Sequence, residues 1–474
     1  MKKRLEFRGG WGVAFLPVII FLFFCVLFFI VFKAFEMHAL AMGAFVALMI
    51  GAIFVKKGHY EGFWNAVYDG VKEAVPIAVL LFVIGIFSQL IKTTNISSGF
   101  VWLADVLGVG GGMFTAFTFL AVCIISTATG SSIGTMFTCF PIFYPAGVLL
   151  GSNPAVLAGG IVSAAIFGDN LAPISDTTII SAGTQEYTKK EGVAEIGGCV
   201  ATRLKYSLVA GAISAVLFGI LGGGGTTGAG AREILEQNMN PNTLVMLIPV
   251  LLMLIVSVKT RSIYQAITVG VVVGTVTGLI SQLLTFDQIL SVVDGMPTGF
   301  LTDGIKNMMS TVTLVMSVYG IMGVLHGAGA LDRITESILH SRLGKTARGA
   351  EIAMMLGISF TTLLFGGVTS ASMTTFGKIQ NELGKRVGLH PYRRANLLDG
   401  FANAIVLTVP FLSVFVFLGA LLSSGYDFVQ PLTLTQVASG MIYCVMLFLV
   451  LLFSVITGWG RDYEGPDGSP VRKP

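Results

Sequence analysis

Long apolar stretches alternate with short polar connections along the whole chain, at 11–32, 38–55, 74–91, 111–127, 134–150, 157–182, 206–221, 243–257, 264–284, 308–326, 351–365, 368–380, 400–423 and 437–457. Most hold roughly 15–25 residues, the length a helix needs to cross a hydrocarbon core of about 30 Å. The pattern predicts an all-α polytopic membrane protein with about 12–14 membrane segments. Two of them, 134–150 and 368–380, are candidates for re-entry. The first run, Trp11 to Phe32, follows Lys2, Lys3, Arg4 and Arg8. It is longer than the roughly 7–15 residues of a signal-peptide core, so it reads as an uncleaved span with an internal N-terminus.

Composition agrees: 54% of residues are hydrophobic, 11% are charged, and mean hydropathy is +0.84. A soluble domain carries about 25% charged residues, so these charges cannot cover one. Soluble enzymes, nucleic-acid binders, secreted disulfide scaffolds and disordered chains are excluded. Cys25, Cys123, Cys139, Cys199 and Cys444 are scattered without paired spacing and read as small apolar residues. With the N-terminus internal and strict alternation, only Lys33, Lys92, Arg232 and Lys306 of the 29 Lys and Arg fall outside. That asymmetry follows the positive-inside rule and puts both termini on the cytoplasmic side.

The helix breakers repeat. A shift of 237 residues places Gly130 on Gly367, Thr138 on Thr375, Gly147 on Gly384, Gly151 on Gly388, Pro154 on Pro391 and Pro173 on Pro410. Upstream, Asp69-Gly70-Val71-Lys72 resembles Asp303-Gly304-Ile305-Lys306. The first copy of that motif sits by an internal loop and the second by an external one. The expected architecture is two inverted-topology repeats with broken helices or re-entrant tips, as in many secondary transporters. The divisions are an N-terminal span (1–35), a first repeat (36–221), an external linker (222–242), a second repeat (243–457) and a cytoplasmic tail (458–474), polar and disordered from Arg461 to Pro474. No Walker A motif points to ATP.

Nearly every Asp and Glu can be placed in a loop or at a span edge; the exceptions are Asp169, Asp176 and Asp399. An ionisable group in hydrocarbon costs about 2.5–3.5 kcal/mol on insertion scales, so each is a functional candidate. Asp169 and Asp176 belong to Gly168-Asp169-Asn170-Leu171-Ala172-Pro173-Ile174-Ser175-Asp176-Thr177-Thr178, which has no helical period. Gly168 and Pro173 are expected to break the helix and free backbone carbonyls. Two carboxylates with Asn170, Ser175, Thr177 and Thr178 form a hard-oxygen set, which suits Na+ at Asp169 and Asp176 by extension from Ca2+ and Mg2+ chemistry. Gly130, Ser131, Ser132, Gly134 and Thr135 form a small, hydroxyl-rich tip, mirrored by Gly367, Thr369, Ser370 and Ser372. Close helix packing and a re-entrant tip facing the ion are equally open for it. The shift places Asp169 on Val406 and Asp176 on Ser413, so the second half lacks both acids and offers Asn396, Asp399 and Asn403.

The Gly-Asp-x-x-x-Pro-x-Ser-Asp-Thr-Thr string at 168–178 resembles the signature of the NhaC-type sodium/proton antiporter family, and 127–135 is similar to a second stretch of it. The resemblance covers roughly 40–457. It implies Na+/H+ exchange or sodium-coupled exchange of organic acids, a bacterial inner-membrane location and no cofactor. The expected partners are Na+, H+ and the lipid bilayer, with Li+ or a small organic solute as alternatives, and a second copy of the chain as a homodimer.

The residues alone leave rivals. A Na+-coupled carrier of an organic anion or amino acid would use the same acids, but no arginine falls clearly within an expected span to grip an anion, and Lys378, Arg393 and Arg394 read as topology determinants. An intramembrane aspartyl protease is disfavoured because both acids share one short segment; the chain is expected not to be an enzyme.

Overall fold

The computed structural model describes residues 4–32, 37–225, 236–260, 262–330, 333, 342–426 and 431–472. The boundary at 35/36 and the centre of the expected linker, with Thr226, Thr227, Gly228 and Arg232, lie outside the described residues.

The chain folds as an all-α polytopic membrane protein. The first half contributes α1 (Leu16–Val26), α2 (Met37–Ile53), α3 (Tyr60–Thr93), α4 (Ser97–Val106), α5 (Gly111–Thr129), α6 (Ser132–Leu149), α7 (Pro154–Leu171), α8 (Asp176–Gly183) and α9 (Ile196–Leu221). The second contributes α10 (Leu247–Thr260), α11 (Ile263–Ile280), α12 (Phe300–Gly327), α13 (Ala347–Leu364), α14 (Thr369–Arg386), α15 (Pro391–Ala402), α16 (Val414–Leu422), α17 (Leu434–Gly440) and α18 (Ile442–Thr457). Seven described helices are long and apolar enough to cross a membrane alone, or eight if α17 and α18, bent by 51°, make one span. Other expected segments are shorter apolar helices, such as His38–Ile53 and Pro241–Ser257.

Element boundaries recur at the 237-residue shift. Ser132–Leu149 maps end to end onto Thr369–Arg386. Pro154 and Pro391 each open a helix, where a missing N–H costs nothing. Asn153 Oδ1 caps α7 and His390 Nδ1 caps α15, each accepting a first-turn amide hydrogen.

α3 and α12 cross in close backbone contact. A Cβ on Gly70 would stand 2.2 Å from the Tyr319 carbonyl oxygen and 2.9 Å from the Gly323 backbone. At the other end, a Cβ on Gly85 would lie 2.6 Å from the Gly304 carbonyl oxygen. Only glycine allows backbones this close. Residues rising along α3 meet residues falling along α12, so the two helices are antiparallel, and the related motifs at Asp69–Lys72 and Asp303–Lys306 lie at opposite ends of the crossing.

Three expectations need correction. α3 starts at Tyr60, so Asp69, Lys72 and Glu73 lie inside a long helix rather than at its edge. They are tolerated there because they face a cavity. Gly168 does not break α7, which continues to Leu171; a Cβ there would strike Ser126 Cβ and the Thr127 nitrogen at 2.3 Å, so Gly168 lets α5 and α7 touch. The described part of the 458–474 tail is ordered. Tyr463–Glu464 pairs antiparallel with Pro470–Val471, and Tyr463 bridges to Leu389. Glu464 Oε1 accepts from the Thr188 and Lys189 amides at 2.7 and 2.6 Å. The tail is held by backbone pairing, by charge and by Tyr463 packed against the core, and composition alone reads such a polar segment as disordered.

Candidate functional site

The break after α7 spans Ala172 to Ser175, with Pro173 unable to continue the helix. Ser175 caps α8 by accepting from the Thr177 amide. The turn between α5 and α6 packs directly against this break. Gly130 closes α5 with φ +65°, and a Cβ there would stand 2.6 Å from Ile174 Cγ1 and 3.3 Å from the Ser175 nitrogen. Ser131 caps α6, its Oγ accepting from the Gly134 amide. The Gly111 amide donates to the Leu150 carbonyl at 2.8 Å, so α5 and α6 form a closed hairpin whose tip meets the break.

Asp169 is the acid at this meeting point, 4% exposed. Its Oδ1 accepts from Ser175 Oγ at 2.5 Å and its Oδ2 from Ser132 Oγ at 2.9 Å. Ser175 Oγ lies 2.9 Å from Thr177 Oγ1, which donates to the Asp169 carbonyl. Thr129 and Thr135 pair hydroxyl to hydroxyl at 3.0 Å beside them. Among the described residues no cationic side chain bonds Asp169. A buried carboxylate with only neutral donors must be neutralised by a proton or a bound cation.

Asp176 is exposed, faces the Ser370 hydroxyl of the second tip, and lies within Coulombic reach of Asp169. Its Oδ1 accepts from the Thr177 amide at 3.0 Å. In the second tip, Gly366 and Gly367 take φ +61° and +83°, and a Cβ on Gly367 would lie 3.3 Å from Ser413 at the second break. Ser372 Oγ pairs with Thr362 Oγ1 at 2.8 Å. Thr369 opens α14, its carbonyl accepting from Ser372 Oγ. Among the described residues no three His, Cys, Asp or Glu side chains gather as a metal cluster. The oxygen set is one or two carboxylates with hydroxyls, a charge that suits a monovalent cation.

The remaining predicted residues serve a different centre. Asp399 accepts from Arg203 NH1 at 2.6 Å, Asn170 Nδ2 at 2.7 Å, Asn403 Nδ2 at 2.8 Å and Ser181 Oγ at 3.0 Å. Arg203 also donates to the Asn170 carbonyl, Thr178 Oγ1 and Asn396 Oδ1. Asp399 is therefore saturated and charge-paired, and Asn170, Thr178, Asn396 and Asn403 belong with it rather than with Asp169.

Arg203 corrects the reading that no arginine lies within a span, since it is 1% exposed inside α9. Arg393 and Arg394 are likewise buried. Arg393 pairs with the fully buried Glu351 at 2.8 Å, and Arg461 completes that carboxylate at 2.6 Å. Each of these charges sits near the end of an apolar run, where hydropathy cannot separate a lipid-facing edge from a protein-facing one.

Two cavities flank the α3–α12 crossing. One of about 1190 Å³ is lined by residues including Asp69, Glu73, Tyr319 and His326. The other, about 320 Å³, includes Gln89, Lys92, Lys306 and Asn307.

The sequence profile of the Na+/H+ antiporter family matches residues 11–223 and 186–459. Relatives include a malate-2H+/Na+-lactate antiporter of Bacillus subtilis, 26% identical over 74% of this chain and 76% of that protein. The Na+/H+ antiporter NhaC of Alkalihalophilus pseudofirmus is 25% identical over 70% and 75%. The arginine/ornithine antiporter ArcD of Halobacterium salinarum is 22% identical over 98% and 96%. With the profile covering nearly the whole hydrophobic body, the chain belongs to the Na+/H+ antiporter family, in its NhaC-type branch.

Proposed function

We propose that this antiporter exchanges Na+ for H+ by alternating access, the two ions competing for Asp169 and Asp176. The observation that carries the reading is Asp169: buried, held by Ser132 and Ser175, and without a cationic partner among the described residues. Its neighbour Asp399 has Arg203, and Glu351 has Arg393 and Arg461. The one buried acid here left to find its own countercharge is the one at the helix break. A proton satisfies it in one state and Na+ in the other, with Ser175, Thr177 and freed carbonyls as further oxygens. The antiparallel α3–α12 crossing and the recurrence of boundaries at one shift support two inverted repeats moving against each other. The site would face the cytoplasm and the outside of a bacterial inner membrane in turn, with both termini cytoplasmic.

The test is proteoliposome exchange. An imposed Na+ gradient should dissipate ΔpH with wild-type protein, and Asp169→Asn should reduce that flux to background, with Asp176→Asn sharply slower. Proton movement by Asp169→Asn at the wild-type rate would overturn competition at this acid.

A second reading has its own support. A cavity of about 1190 Å³ exceeds the needs of one ion and lies just above the range of small-molecule sites, roughly 300–1,000 Å³. Exchange of a carboxylic or amino acid against Na+ or H+ is the alternative, in keeping with the malate/lactate and arginine/ornithine relatives. A flux that requires such a solute would select it.

A further inference from the structure

α8 is only eight residues long, and a helix that short does not hold its own position. Its first turn carries Asp176, so whatever fixes α8 against α7 fixes Asp176 against Asp169. Two kinds of contact cross the break between them. Ser175 and Thr177 bond Asp169 itself and belong to the ion site, so their surroundings change when the ion does. The other contacts run through Arg203 of α9. Its NH1 donates to the Asn170 carbonyl at 2.5 Å, at the end of α7, and to Thr178 Oγ1 at 3.2 Å, in α8. Its NH2 donates to Ser181 Oγ at 3.2 Å, about one turn further along α8. Asp399 of α15 grips the same two helices, accepting from Asn170 Nδ2 at 2.7 Å and from Ser181 Oγ at 3.0 Å. Arg203, Asp399, Asn170, Thr178 and Ser181 are each 1% exposed or less. A guanidinium stays protonated and its donors form a rigid planar fork, so this grip keeps one charge and one shape whatever occupies Asp169. Past the end of α8, Gln185 Nε2 donates to the Gly377 carbonyl at 3.0 Å and fixes the far end separately.

We propose that Arg203 is a positioning residue for the cation site: with Asp399 it clamps α7 to α8 across the break, sets the spacing of Asp169 and Asp176, and thereby decides which cation fits. The inference rests on the exchange reading above and adds what makes the site selective. Arg203 comes from the first half and Asp399 from the second, so the break takes its shape from both. Unhooking α8 lets Asp176 drift from Asp169. A site of variable spacing holds Na+ less tightly and loses discrimination against the larger K+, because selectivity between cations follows cavity size and flexibility.

The test is ΔpH dissipation in proteoliposomes, driven by Na+ or by K+ over a range of concentrations. Thr178→Val with Ser181→Ala removes both α8 hydroxyls and leaves Arg203 paired with Asp399. The apparent KM for Na+ should rise by roughly tenfold and the preference for Na+ over K+ should fall with it, at a maximal rate near wild type. Thr178→Ser with Ser181→Thr keeps both hydroxyls and should retain both values. Ser454→Ala takes one hydroxyl from the other buried pair, at Arg393, and should change neither. Misfolding would lower the maximal rate through the amount of active protein and would move neither KM nor preference. Wild-type KM and preference in the Val/Ala variant would overturn the clamp. So would the same shift in Ser454→Ala, or a wild-type protein that takes K+ as readily as Na+. If wild-type protein shows no Na+-dependent proton movement, the exchange reading fails and the clamp's role falls with it, a result distinct from wild-type exchange that the α8 variants leave unaltered.

Discussion

Asp169 and Asp399 show how two aspartates in similar surroundings take different roles. Both are buried, and both accept from serine hydroxyls. Asp399 has a guanidinium at 2.6 Å and Asp169 has none. Removing one partner of a buried pair leaves an uncompensated charge and costs about 3–5 kcal/mol. Arg203→Met should therefore lower the detergent melting temperature markedly, and the double variant Arg203→Met with Asp399→Leu should recover much of it. Thermal unfolding followed by size-exclusion recovery checks this; equal stability of the single and double variants would count against a charge-pair role. Asp169→Asn should cost little stability, because a neutral amide loses no countercharge there. The acids Asp169 and Asp176 were legible because they interrupt an apolar run beside a proline. Arg203 was not, because a cation at the end of a run looks the same whether it meets water or Asp399.

The breaks and tips operate at the scale of elements. Gly130 and Gly367 occupy the left-handed region and also touch the break of their own half. Gly130→Ala brings a left-handed penalty of about 1–2 kcal/mol and a contact that must shift Ile174. The expected outcome is a weakened apparent Na+ affinity in ΔpH dissipation, as Ser132 moves away from Asp169, with expression largely kept. Gly168→Ala should harm folding more, since its Cβ would meet backbone that cannot move aside. The glycines and prolines could be picked from sequence because few residues stop a helix. Which glycine turns the chain and which permits packing could not: both leave the same letter in the sequence, and only the neighbouring helix distinguishes them.

The whole molecule is joined across its halves at one face by the tail. Arg461 completes Glu351, and Glu464 holds the amides of Thr188 and Lys189 from the first half. Beside it, Lys385 pairs with Glu186 at 2.7 Å and holds that carboxyl below its ordinary range. Arg461→Ala should release the tail: limited proteolysis would then cut near residue 460 faster than in wild type, with little change in the membrane body. Unchanged cleavage would show that the hairpin holds without the ion pair.

Apolar spacing, the scarcity of charge and the recurrence of breakers determined the membrane class, the helical architecture and the short string where chemistry gathers. These properties are local or additive along the chain, so one sequence suffices to read them. Partnership was decided only in three dimensions: Arg203 with Asp399, Arg393 and Arg461 with Glu351, and Ser132 with Asp169. The free energy of a buried charge depends on which atoms stand within about 3 Å of it, and residues 196 positions apart come that close only after the helices have packed.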